Sequence, residues 1–169
     1  MRDFVVRFAG EGGQGVVTSA EGLAQAAAQV GYHVQTFATF PSQILGGPTW
    51  TQTRISNVPV LSSGDDLDVL VAFNQEAYDT HKDEVRQGGV VVFDVVEFKL
   101  EHDGLTLGMP FDELAKSTGN ARAANMVIIG ALAFLVDMPQ EYLEQFVTKR
   151  FSRGRAGDEE IIKANILAL

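Results

Sequence analysis

The sequence predicts a three-layer α/β domain with a mainly parallel sheet and a helical C-terminal third. Three observations carry this. Short β-branched runs alternate with helical stretches between residues 3 and 94, the pattern of strands joined by crossover helices. A glycine cluster ties the first run directly to an Ala-rich stretch. From Pro110 onward the chain reads as one helix after another.

Composition frames these elements. The chain has 169 residues, 46% hydrophobic and 21% charged, with a mean hydropathy of +0.05. That length suits one domain of ~150 residues, 1–169 throughout, able to bury roughly 70% of its unfolded surface. The balance excludes disordered, collagen-like and coiled-coil classes. A net charge of −9 repels phosphate backbones and argues against nucleic acid as a partner. With no Cys, the chain cannot supply a disulfide, a thiolate nucleophile or the ligands of an iron–sulfur cluster. The longest apolar-or-Gly run, 126–136, has 11 residues. A membrane span needs ~18 or more, so no membrane contact is expected. The N-terminus passes straight into a strand pattern without a leader, and a cytoplasmic location is expected.

In order, residues 3–9 (DFVVRFA) read as a buried strand, 10–15 (GEGGQG) as a turn, and 16–30 as a helix ended by Gly31. Residues 32–40 form a second strand, 41–48 (PSQILGGP) a loop, and 49–56 (TWTQTRIS) a Thr-rich strand with one wet face. Val60 and Leu61 suggest a short return strand. A buried strand at 67–73 precedes a polar helix, 75–86, ended by Gly88 and Gly89. A strand at 90–94 follows, with a hairpin expected around His102, Asp103 and Gly104. Pro110 suits a first helical position. Asn120 caps a long apolar helix ending near Asp137, Pro139 opens a helix to Phe151, and Asp158 a last one to Leu169.

The glycine turn carries the chemistry. Gly10, Gly12 and Gly15 match the spacing of a dinucleotide fingerprint, after a strand and before a helix. Missing side chains let backbone N–H groups approach a diphosphate, and the helix N-terminus adds about half a positive charge. The fingerprint also wants an acid ~20 residues on to hold a ribose. No Asp or Glu occurs from residue 22 to 64, and His33 is the only basic residue between the turn and Arg54. The turn therefore suits a diphosphate and lacks a reader of nicotinamide nucleotides. Gly13 and Gln14 expose more backbone than a tight turn needs, and Val16 opens the helix.

A second loop, with Gly46 and Gly47, leaves the second strand at the sheet edge where ligands of open α/β sheets sit. Trp50 and Arg54 share a strand face by alternation. His33, His81 and His102 match no ligand or triad spacing, and His81 reads as solvated. Asp94, at a strand end, suits a turn or cap. Asn125 lies within an apolar run, where an amide needs hydrogen-bonding partners; it either bonds a neighbouring loop, or braces the glycine turn or touches a ligand. No catalytic residue and no metal ligand stands out.

Together GEGGQGV (10–16), FPSQILGGP (40–48), RIS (54–56), NMVIIGAL (125–132) and KANILA (163–168) resemble the gamma subunit or gamma domain of 2-oxoacid:ferredoxin oxidoreductases, the pyruvate, 2-oxoglutarate, ketoisovalerate and indolepyruvate enzymes. Many members carry an acid near position 43 and an Arg at 45; Gln43 and Leu45 leave this loop uncharged. The resemblance implies a Rossmann-like module, non-catalytic by itself. It would contribute CoA phosphate binding and assembly to oxidative decarboxylation of a 2-oxoacid to acyl-CoA, or the reverse. It places thiamine diphosphate and iron–sulfur clusters on partner alpha and beta subunits, with ferredoxin met indirectly. It names Gly10, Gly12, Gly13, Gln14, Gly15, Val16, Gly46, Gly47 and Asn125 as CoA-contacting residues. The apolar ending at 164–169 leads us to expect a dimer in isolation, or the N-terminal part of a fused gamma–alpha chain. A free-standing nucleotide-binding enzyme with an atypical glycine loop, or a purely structural subunit, remain the alternatives.

Overall fold

The computed structural model describes residues 3–40 and 47–169. Its order is β1 (Asp3–Glu11), α1 (Val16–Val30), β2 (His33–Thr39), β3 (Pro48–Ser56), β4 (Leu67–Ala72), α2 (Gln75–His81), β5 (Val85–Asp94), β6 (Leu105–Met109), α3 (Phe111–Ser117), α4 (Ala124–Leu135), α5 (Gln140–Phe151) and α6 (Asp158–Ala168). The strands form one sheet in the order β2-β3-β1-β4-β5-β6. Strand β3 runs antiparallel to β1 and β2, and the remaining pairs are parallel. The α/β class, the mainly parallel sheet and the helical last third are as the sequence predicts.

Helix α1 follows from its apolar spacing. Val16, Ala20, Leu23, Ala26 and Ala27 recur every three or four residues and are buried, a stripe that faces the sheet. Burying Leu23 alone stabilises by roughly 1.5–3 kcal/mol. Gly31 ends the helix at φ 104° and returns its N–H to Ala27 and Ala28 carbonyls. Helices α4 and α5 pack behind α1, with Met126, Ile129, Leu132, Leu143 and Phe146 completing this larger core. The opposite face carries a smaller core of Val5, Leu70, Ala72, Tyr78, Val91 and Phe98 under α2 and the 95–104 connection.

In the Thr-rich strand the face of Thr49, Thr51 and Thr53 is buried under α1, and the partly exposed face is that of Trp50 and Arg54. Several expectations are corrected. The polar helix stops at His81, not Arg86. A 3₁₀ turn, Lys82–Glu84, leads into β5, whose Val85 already pairs with Leu67, so Gly88 and Gly89 lie within a strand. No hairpin forms at His102–Gly104, since β6 runs parallel to β5. Val60 and Leu61 are not in a strand, and Leu61 is almost wholly exposed. Asn120 does not cap α4: its side chain accepts from the Arg122 N–H at 3.1 Å, ahead of a helix whose cap is Ala123.

The last helix folds back on its own domain. Asn165 and Ala168 are buried, and Leu169 lies so close to Gly130 of α4 that a β-carbon there would collide with its carbonyl. Ile161 and Leu167 stay exposed. Among the described residues no helix is long and apolar enough to cross a membrane.

Candidate functional site

The register places Gly47 and Pro48 beside the first glycine turn. Gly10 pairs with Thr49 and Glu11 with Pro48, so Gly47, at φ 90°, sits at the edge where β1 enters its turn. The predicted contact Gly46 lies outside the described residues, as do Gln43 and Leu45.

The glycines of the turn divide their work. Gly10 is a packing glycine, because a β-carbon there would stand 2.8 Å from Phe73 Cβ. Gly12 and Gly13 are exposed and face open space, with Gly13 at φ 100°. Gly15 caps α1 at φ 89° without any side-chain cap, a left-handed conformation that favours glycine. Gln14 folds back on the turn. Its Oε1 accepts from the Glu11 N–H at 2.7 Å and from Asn74 Nδ2 at 3.4 Å. Val16 is buried in the main core, so only its backbone can serve a ligand.

Asn125 meets this turn. A β-carbon on Gly15 would stand 2.9 Å from Asn125 Cβ and 3.3 Å from its Nδ2. The structure therefore packs Asn125 against the glycine turn. Asn125 is the second residue of α4, so the N-termini of α1 and α4 converge here. The first turn of any helix holds N–H groups without intrahelical partners, and their dipoles favour an anion. Neither α1 nor α4 has an acid in its first turn, whereas α2, α3, α5 and α6 all do. Exposed Arg122 precedes α4. By strand alternation Glu11 shares the face of Arg7 and Ala9, away from α1. The arrangement can hold a phosphate or diphosphate through backbone N–H groups.

On the other sheet face lies a polar cluster that sequence reasoning missed. Arg7 is 5% exposed. It donates from Nε and Nη2 to Gln52 Oε1 at 3.0 and 2.6 Å, and from Nη1 to Glu84 at 2.5 Å; His81 Nδ1 lies 2.8 Å from Nη1 and 2.9 Å from the Glu84 carboxylate, to which it donates. Its guanidinium lies 4.3 Å from the Trp50 ring centroid. The cation beside Trp50 is therefore Arg7, while Arg54 pairs with Asp3 at 2.7 Å. His81 is buried rather than solvated; burial, with the Arg7 charge beside it, holds its pKa below the ordinary value despite the Glu84 hydrogen bond. Burial pushes the Glu84 carboxyl up, but hydrogen bonds from Arg7 and His81 outweigh this and leave it lowered. An Arg at the centre of a buried strand was the available signal. Asp94, by contrast, does what its strand-end position suggests, accepting from the Val96 N–H at 2.8 Å.

The profile of the pyruvate ferredoxin/flavodoxin oxidoreductase family matches residues 5–169. The chain belongs to that family. It is 34% identical to ketoisovalerate oxidoreductase subunit VorA of Methanothermobacter marburgensis, over 99% of this chain and 35% of that one. It is similar to a solved 2-oxoglutarate:ferredoxin oxidoreductase from Magnetococcus marinus with 2-oxoglutarate, coenzyme A and succinyl-CoA bound. There the TM-score is 0.90 and the identity 34%, over 99% of this chain and 30% of that one. It is also similar, at TM-score 0.80 and 28% identity, to the gamma subunit of a keto/oxoacid ferredoxin oxidoreductase from Geobacter sulfurreducens. That match covers 99% of this chain and 95% of that one. The chain thus spans about a third of the length of some relatives and nearly all of others.

Proposed function

We propose that this chain is the gamma-type component of a 2-oxoacid:ferredoxin oxidoreductase, working in the cytoplasm. It holds the diphosphate of CoA and packs against the subunits or domains that carry thiamine diphosphate and the iron–sulfur clusters. The complete enzyme converts a 2-oxoacid, CoA and oxidised ferredoxin to acyl-CoA, CO2 and reduced ferredoxin, or the reverse. Thiamine diphosphate supplies the carbanion chemistry and the clusters carry electrons, both outside this chain. This chain's residues bind and orient. Backbone N–H groups at Gly12, Gly13, Gly15 and Val16 face the diphosphate, and Asn125 fixes the turn and presents the first turn of α4 to the same anion. The convergence of two acid-free helix N-termini on one glycine turn carries this reading. Coenzyme A in the Magnetococcus relative supports it.

Assembly rests on exposed apolar surface. Phe134 is 86% exposed and Leu135 51% at the end of α4, and Leu167 is 67% exposed on α6. Such clusters mark interfaces, so the isolated chain is expected to dimerise and, in the enzyme, to be covered by its partners. The deciding experiment is calorimetry of CoA against the chain and against the assembled enzyme, with wild type and Gly13→Val. Gly13 faces open space, so valine leaves packing untouched but resists its φ and blocks the N–H groups. Micromolar-range binding abolished by Gly13→Val is the expected result. Unchanged binding would leave only the purely structural role, and preference for NAD, NADP, ATP or FAD over CoA would favour a separate nucleotide-binding enzyme. Dye reduction by the isolated chain with a 2-oxoacid and thiamine diphosphate would overturn the non-catalytic assignment.

A further inference from the structure

The Arg7 cluster floors a cleft of about 390 Å³ whose sides include Phe37, Trp50, His81 and Glu84. That volume lies within the ~300–1,000 Å³ typical of small-ligand sites. Phe37 is 52% exposed and meets Trp50 at 5.5 Å between centroids, tilted by 45°, so the two rings make an open aromatic wall. The floor is polar and built. Arg7, Gln52 and His81 are each more than nine-tenths buried, and Arg7's bonds to Gln52 and Glu84 use three of its five N–H groups. Glu84 accepts through Oε1, and its side chain is 43% exposed, so the carboxylate keeps a second oxygen for a ligand next to the Arg7 guanidinium.

We propose that this cleft takes an uncharged aminopurine ring, the adenine end of an adenine nucleotide. Adenine presents an amino donor next to a ring-nitrogen acceptor, the complement of a carboxylate oxygen next to a guanidinium N–H. Its face stacks on the Phe37–Trp50 wall. A phosphate is disfavoured there by Glu84 and Asp65, both on the cleft wall, and a cation by Arg7. The cleft adjoins the glycine turn: Trp50 and His81 line both it and the crevice beside Gly10. Arg7 lies three strand residues, ~10 Å, from Gly10. This inference rests on the reading of the glycine turn as the diphosphate site, and adds the base subsite to it.

Trp50 is the only Trp in the chain, so its emission reports the cleft directly. CoA, adenosine and 4′-phosphopantetheine, which lacks the adenosine, are titrated against the chain. CoA and adenosine quench Trp50, and phosphopantetheine does not. Base–aromatic stacking of roughly 1–3 kcal/mol makes Phe37→Ala, at an exposed site, weaken CoA by about tenfold and leave phosphopantetheine unchanged. CoA binding that neither alters Trp50 emission nor responds to Phe37→Ala overturns the base subsite while sparing the diphosphate site. Adenosine quenching that persists when Gly13→Val has no effect on CoA overturns the diphosphate site while sparing the cleft. Absence of quenching by both CoA and adenosine overturns the inference.

Discussion

The helices that begin at the glycine turn differ from those that begin elsewhere. Helix α2 is capped by Asn74 Oδ1 accepting from the Ala77 N–H at 2.8 Å and starts with Glu76. Helix α6 carries Asp158, Glu159 and Glu160 in its first turn, and Asp158 also accepts backbone N–H bonds from Arg153 and Arg155. These helices neutralise their own dipoles. Helices α1 and α4 have neither a side-chain cap nor an acid. Self-satisfied termini serve stability, whereas bare ones leave donors for something from outside the chain.

The sharpest way to break this contrast is at Gly15. Gly15→Val adds a branched side chain at φ 89° against Asn125 and is expected to destabilise by roughly 2–5 kcal/mol, read as a lowered Tm. Gly12→Val, in open space without a positive φ, is expected to stay within about 0.5 kcal/mol of wild type while weakening CoA. If both variants bind CoA normally, bare helix ends are not a ligand site. At the self-capped end, Asn74→Ala should cost ~1 kcal/mol in denaturant melts with CoA affinity retained.

A smaller effect of opposite sign sharpens the contrast. Ala124→Asp supplies the acid that α4 lacks, so it should stabilise by about 0.3–1 kcal/mol and yet weaken CoA. A gain in both stability and affinity would contradict the reading. The least effect concerns pH. His81 is held below its ordinary 6.5, so the unfolded chain binds its proton more readily. Stability is then full above 6.5 and falls as pH drops through the folded value. Glu84, lowered from 4.5, adds a second loss below that pH. His81→Gln should flatten the first segment and reduce the second, since His81 helps hold the Glu84 carboxyl down, checked by melts across pH 3–8.

The fold was legible where one element dictates its own surroundings. Residues 3–9, 16–30 and 67–73 carry a short β-branched run or a clean 3.6-residue stripe, and each lies within a residue or two of the observed element. It failed where a neighbour decides. The buried side of β3 depends on α1 covering it, and β5 begins early because Val85 pairs with Leu67. The glycine turn was legible as a motif, and Asn125 as an anomaly within an apolar run. What the sequence withheld was Arg7 with His81 and Glu84, a cluster assembled from two separate segments, β1 and residues 81–84. His81 and Glu84 alone look like ordinary surface groups, and only the packing of α2 on β1 brings them to Arg7.

The Gly15–Asn125 contact also bears on how the chain matures. During synthesis the N-terminal strand, turn and helix emerge while α4 has not yet been translated. At that stage the turn has its glycines but neither its brace nor its second dipole. Nascent chains of increasing length should therefore remain blind to CoA until residues beyond 125 have left the ribosome and α4 has docked. Ligand binding would then act as a late checkpoint on folding, drawing the equilibrium toward chains whose C-terminal helices are in place.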